Sequence, residues 1–216
     1  MFSGIAYIFF LCILAITPSL IWLNYYLKKD DRPEPHRWLN LTFFAGVIIT
    51  LLISFLESKL YKANFYQSFN NDAKVIFFIL CFPLLEEIGK FLATFLSTRK
   101  NSFFKDETTD PIIYAVTAGL GFAAAENLKV CFSVLQENLV IINWQNLFSF
   151  TLSAPVVNTL IITTFIRFLT AVFLHANSCA IFGYFWAVGR ILKKNKKLFI
   201  TLIIMGIIMA SILHSC

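Results

Sequence analysis

The chain predicts an all-α, polytopic transmembrane helix bundle, and three observations carry that prediction. Hydrophobic residues make up 58% of the sequence and only 14% are charged, with a mean hydropathy of +0.75; no water-exposed surface is covered by so few polar groups. Apolar runs close to the ~20 residues that cross a bilayer recur along the whole length. Lys and Arg collect in short segments between those runs, notably Lys28-Lys29, Arg99-Lys100 and Arg190 through Lys197. The net charge of +6 is therefore a topology signal and no nucleic-acid footprint.

Six spans follow in order. Residues 5–27 have no basic residue ahead of the apolar run and no small-x-small site after it, which reads as a retained first span and not a signal peptide. Residues 39–56 form a second, short span, and 75–97 and 112–134 the third and fourth. The fifth is 165–189 and the sixth, again short, is 198–214. The stretch 147–164 is also apolar but contains Pro155 and Asn158 and enters the fifth span without a charged break, so it reads as an interfacial or re-entrant helix or as a seventh span. Loops 28–37, 97–111 and 190–197 carry four, three and five Lys/Arg and 135–146 carries none, which places both ends outside. Loop 57–74, with three Lys, runs against that bias. Trp22, Tyr25, Tyr26 and Trp38 near span ends read as interface belts. The five cysteines show no CxxC spacing, which excludes a cysteine zinc site and a disulfide framework.

Ionisable side chains at bilayer depth cost roughly 2.5–3.5 kcal/mol each on insertion scales, so their placement needs a reason. The third span holds Glu86, Glu87 and Lys90, the fourth Glu126 and Lys129, and the fifth Arg167 and His175. Three acids and three bases cancel, leaving one histidine. At about 1.5 Å per residue, Glu86, Glu126 and His175 lie roughly 16, 12 and 15 Å from the outer ends of their spans. They share a level. Glu86 and Lys90 are i,i+4 neighbours on one face, while Glu87 is turned by about 100°. Gly119, Ala123 and Glu126 share a face, which lets a second backbone approach where the carboxylate projects. Pro83 withdraws a backbone donor three residues before Glu86, leaving a carbonyl that needs polar surroundings. His36 and His214, at the edges of apolar runs, read as solvated.

Peptide hydrolysis needs a base for water, a proton donor for the leaving amine and a partner for the oxyanion. One of Glu86 and Glu87 serves as base, with Glu86 favoured; Glu126 and His175 position water or a metal, and Asn127 is an oxyanion donor. Lys90 and Arg167 act as counter-ions. A divalent ion such as zinc would sit on carboxylates with His175, Glu126 foremost, although there is no HExxH.

Together, PSLIWLNYYLKKDDRPEP, EEIGK, DPIIYAVTAGLGFAAAENL and RFLTAVFLHANSCAIFGYFWAVG make the chain resemble the PrsW-type proteases, membrane relatives of the CAAX-prenyl-protease and bacteriocin-processing enzymes. The resemblance implies a protease of the plasma (inner) membrane, one domain over 1–216, which makes the first cut in a membrane-anchored anti-sigma factor during regulated, stress-responsive proteolysis. It implies Glu86, Glu87, Glu126 and His175 as the active site. Glu126 stands where the CAAX enzymes carry a second His, and Cys179 where they often carry Asn. A proton- or cation-coupled carrier and a non-catalytic scaffold are the competing classes, the first expecting inverted repeats. The bland account of the carboxylates is an ion-pair lock on helix packing.

Overall fold

A computed structural model of the protein describes residues 4–30, 32–100, 107–138, 140, 150–192 and 195–215. Eight helices and no strand occur among the described residues: α1 (Gly4–Leu27), α2 (His36–Lys62), α3 (Asn64–Gln67), α4 (Asn71–Thr98), α5 (Asp110–Glu137), α6 (Ala154–Leu169), α7 (Ala171–Ile191) and α8 (Lys196–His214). The apolar windows predict the spans, and the helices overrun them by up to six residues because polar end turns are capped and stay helical. Asn70 accepts from the Ala73 N–H at 2.8 Å to start α4, and Asn195 accepts from the Lys197 N–H at 2.8 Å to start α8. Pro111 and Pro155 stand in the first turns of α5 and α6, where a missing N–H costs nothing.

Among the described residues five segments are long and apolar enough to cross a membrane: α1, α2, α5, the α6–α7 pair taken together, and α8. The 28 residues of α4 span about 42 Å at helical rise, and its central charges set it apart from those five. The count is roughly that read from sequence. The centre is α5, with 61% of its apolar window buried against 22–33% for the other four. Around it the exposed residues are large and apolar, Phe9, Phe44, Ile48, Phe165 and Ile200 among them, which suits contact with lipid.

Two glycines set the α2–α5 crossing. A Cβ on Gly46 would strike the Ala118 carbonyl, and one on Gly121 the Phe43 carbonyl, so backbone meets backbone. Val116, Leu120 and Ala123 of α5 then pack with Phe43, Val172 and Ala176. Where the segment between α1 and α2 meets the start of α5, Tyr114 donates to Glu34 Oε2 at 2.6 Å, and Arg32 pairs with Glu107 at 2.9 Å. Burial pushes the Glu34 pKa up to about 7, opposed next by the hydrogen bond from the Tyr114 hydroxyl and reinforced less strongly by the nearby Asp110 carboxyl.

The predicted fifth span, 165–189, is corrected. Thr170, at φ −113° and ψ −86°, leaves the helical region and separates α6 from α7. Part of the undecided 147–164 stretch is thus α6, whose 16 residues reach only about 24 Å and do not cross alone; 147–149 lie outside the described residues. Two of the expected belt aromatics face inward. Trp22 Nε1 donates to the Phe168 carbonyl at 3.0 Å and the Tyr26 hydroxyl meets Asn177 Oδ1 at 3.2 Å, so both tie α1 to the α6–α7 joint.

Candidate active site

From α4, residues 86, 87 and 90 all project into the bundle. Lys90, with no exposed surface, lies 2.7 Å from Glu87 Oε1 and 3.6 Å from Glu86 Oε2. The expected pairing order is therefore reversed: the i,i+3 contact to Glu87 is the tight one. Its ammonium also sits 4.8 Å from the centroid of the Phe122 ring and 2.8 Å from His175 Nδ1. An ammonium only donates, so Nδ1 is the acceptor and Nε2 carries the imidazole proton. That proton goes to Glu126 Oε2, 2.8 Å away.

His175 can approach because α5 offers Gly119 there. A Cβ on Gly119 would collide with Cys179 Sγ and stand 3.1 Å from the His175 carbonyl. The small-residue face read from sequence does make this room. On a continuous helix, residues 167 and 175 would lie about 12 Å apart along the axis; the break at Thr170 lets both turn to Glu126. Arg167 reaches Glu126 Oε2 at 3.5 Å and donates through Nε to Asn127 Oδ1 at 2.6 Å. Asn127 in turn donates to the Ala15 carbonyl at 3.1 Å. With its amide oxygen and one N–H so engaged, Asn127 is a strut between α1, α5 and α6 that keeps a second amide N–H. Lys129 leaves the cluster and donates to Ser54 Oγ at 2.8 Å.

Two further side chains belong to the cluster. Ser178 donates to Glu87 Oε1 at 3.0 Å, and its signal was its place three residues after His175. The reading of His214 as solvated is overturned: its Nδ1 lies 2.9 Å from Glu87 Oε1, its side chain is 12% exposed, and its ring stands 4.8 Å from that of His175. The cause is hairpin symmetry. α7 ends at Ile191 and α8 begins at Lys196, and the two pack side by side, so residues about twenty positions to either side of that junction fold onto one level. His36 is exposed, as expected.

These contacts leave a vacancy of charge. Glu87 Oε1 accepts from Lys90 and Ser178 and only accepts, so His214 Nδ1 must be the donor and its Nε2 a bare lone pair. That lone pair faces Glu86 Oε2 at 3.6 Å, a buried oxygen that makes no hydrogen bond and has the Lys90 ammonium at the same distance of 3.6 Å on its other side. An acceptor thus confronts an acceptor. In formal charges, Glu86, Glu87 and Glu126 exceed Lys90 and Arg167 by one. Donor atoms of Glu86, His175 and His214 all lie within 4.8 Å of one another. Across a tetrahedral zinc, N and O ligands stand about 3.4 Å apart; His214 Nε2 and Glu86 Oε2 have lone pairs to offer a divalent ion, whereas His175 would ligate only by exchanging its Lys90 or Glu126 contact for the ion.

The fold and this centre define a polytopic membrane protein with a buried carboxylate–histidine cluster. Comparison with known proteins supplies the family: the profile described as "PrsW family intramembrane metalloprotease" matches residues 34–216, and the chain belongs to that family. It is similar to Protease PrsW of Clostridioides difficile, 34% identical over 125 residues covering 57% of this chain and 51% of the relative. The Protease PrsW of Bacillus subtilis is 31% identical over 119 residues, covering 52% and 50%, and that of Oceanobacillus iheyensis 33% over 114 residues, covering 52% and 50%. The chain spans about half the length of these curated relatives. No solved structure matches it.

Proposed function

We propose that residues 1–216 form one membrane-embedded endopeptidase domain, in the plasma (inner) membrane, that hydrolyses a peptide bond of a membrane-anchored protein. An anti-sigma factor, cut first in a regulated cascade, is the substrate type that family membership favours. The supporting observation is the buried lone pair of His214 set against the Glu86 oxygen that makes no hydrogen bond, beside His175.

Glu86 and His214 would hold a divalent ion, zinc by donor chemistry, with His175 joining them if its Nδ1 lone pair turns from Lys90 to the ion, and such an ion lowers the pKa of bound water to about 7 and polarises a carbonyl. Glu87 shows no exposed surface and is committed to Lys90, Ser178 and His214; it fixes the tautomer and aim of His214. Glu126 is 20% exposed, so it takes the proton of the attacking water and returns it to the leaving amine, with Arg167 as its counter-ion. The general-base role that spacing favoured for Glu86 moves to Glu126, because the Glu86 oxygen is turned to His214. A carrier would need its carboxylates to release and rebind cargo, whereas Glu87 is held through Oε1 by three donors, with Oε2 buried and without a hydrogen bond.

The test is zinc content beside cleavage of a reconstituted single-span substrate. Glu126→Gln is expected to keep zinc and lose cleavage, while Glu86→Gln and His214→Ala lose both. Cleavage retained in His214→Ala, or by metal-stripped protein, would sink the assignment. Zinc kept in Glu86→Gln but lost in Glu126→Gln would exchange the two roles.

A further inference from the structure

The proline that opens the α4 ladder is matched by one side chain on α8. Pro83 has no N–H, so the carbonyl of Ile79, four residues earlier, lacks the donor a helix would give it. Inside a bilayer such a carbonyl is costly to leave bare. Ser215 Oγ lies 2.8 Å from Ile79 O and 2.7 Å from Ser211 O. The one hydroxyl proton serves either carbonyl; Ser211 O also accepts from the Ser215 backbone N–H at 3.0 Å and so keeps a donor when the hydroxyl turns to Ile79, whereas Ile79 O has no helical donor of its own.

The two ends of this contact are close in sequence to the centre. Ile79 stands two helical turns before Glu86 and Glu87, and Ser215 directly follows His214. His214 is the last residue of α8, where a helix frays and where nothing beyond it in the helix holds the ring. We propose that Ser215 is a positioning residue: it docks the end of α8 on the carbonyl left open by Pro83 and so holds His214 against Glu86 and Glu87. The inference rests on the reading of His214 as an ion ligand.

A double-mutant cycle on the metal-free, detergent-solubilised full chain isolates the contact. Ser215→Ala is expected to lower the melting temperature when residue 83 is Pro and to change it little in Pro83→Ala, where the restored backbone N–H serves Ile79. An equal drop in both backgrounds overturns the docking. In zinc titrations of the metal-free protein, Ser215→Val is expected to weaken affinity by about two- to tenfold, the worth of one hydrogen bond. Ser215→Thr, of the same shape but with a hydroxyl, retains the affinity; equal affinities for Val and Thr also overturn the docking, and this pair does not depend on Pro83→Ala folding. His214→Ala separates the two ideas. If it binds zinc as the parent does, the ligand reading fails; if it loses zinc while Ser215→Val does not, only the docking fails.

Discussion

Replacing Lys90 by Met removes the cation on which α4, α5 and α7 converge while keeping most of its volume. In the parent, Lys90 Nζ has Glu87 Oε1 at 2.7 Å, His175 Nδ1 at 2.8 Å and the Phe122 ring at 4.8 Å, with no exposed surface. Lys90→Met leaves the Glu87 carboxylate buried with only neutral donors, a loss of about 3–5 kcal/mol for one partner of a buried pair. Across a domain of this size, each kcal/mol moves the melting temperature by about 2–4 °C, so the fall is roughly 6–20 °C. Glu87→Gln strands the ammonium and is expected to lose a similar amount. The double variant Lys90→Met/Glu87→Gln then loses less than the two together, since the tight 2.7 Å pair is removed whole and only Glu86, 3.6 Å from Lys90 in the parent, loses a partner. Melting of detergent-solubilised protein followed by far-UV dichroism reads all three. A shift below about 2 °C for Lys90→Met, or strict additivity in the double variant, would refute the view that this pair is electrostatically closed.

Other outcomes follow from single contacts. Gly121→Ala sets a Cβ against the Phe43 carbonyl, which cannot rotate away, whereas Gly89→Ala meets only the Ile53 side chain, at 2.7 Å; melting temperatures should show the first change as clearly the more damaging, and equal damage would contradict the crossing described. Glu34 favours its neutral form in the fold, because its pKa is raised to about 7 by burial and by Asp110. Its contribution to stability is full below about pH 4.5, the ordinary glutamate range, and is lost as pH rises through about 7. Melting from pH 5 to 8.5 should thus fall more steeply in the parent than in Glu34→Gln, and parallel profiles would exclude the carboxyl as the cause.

Much of the centre was legible because charge at bilayer depth is expensive. Glu86, Glu87, Glu126 and His175 announced themselves as polar residues inside apolar runs, and helical rise put them on one level. Gly119 and Ala123 marked where a backbone could approach. What stayed hidden depended on pairing between distant segments. His214 closes an apolar run and looks like an end residue until α8 is folded back along α7. The break at Thr170 has no proline or glycine to signal it; its hydroxyl bonds back to the Ile166 carbonyl at 2.9 Å, an ordinary helical habit for threonine. Lys129 lies three residues after Glu126, near enough on one helix face to look like its partner, yet the long side chain reaches Ser54 on α2.

The glycine crossing of α2 and α5 bears on how the molecule moves. Where carbonyl oxygens press directly on α-carbons, no rotamer change loosens the joint, so the two helices behave as a single beam carrying Phe122 and Glu126 with it. Thr170 is the opposite kind of feature, one non-helical residue between two rods that both bear on that carboxylate. Any displacement of α6 or α7 about that pivot changes the reach of Arg167 and His175 to Glu126.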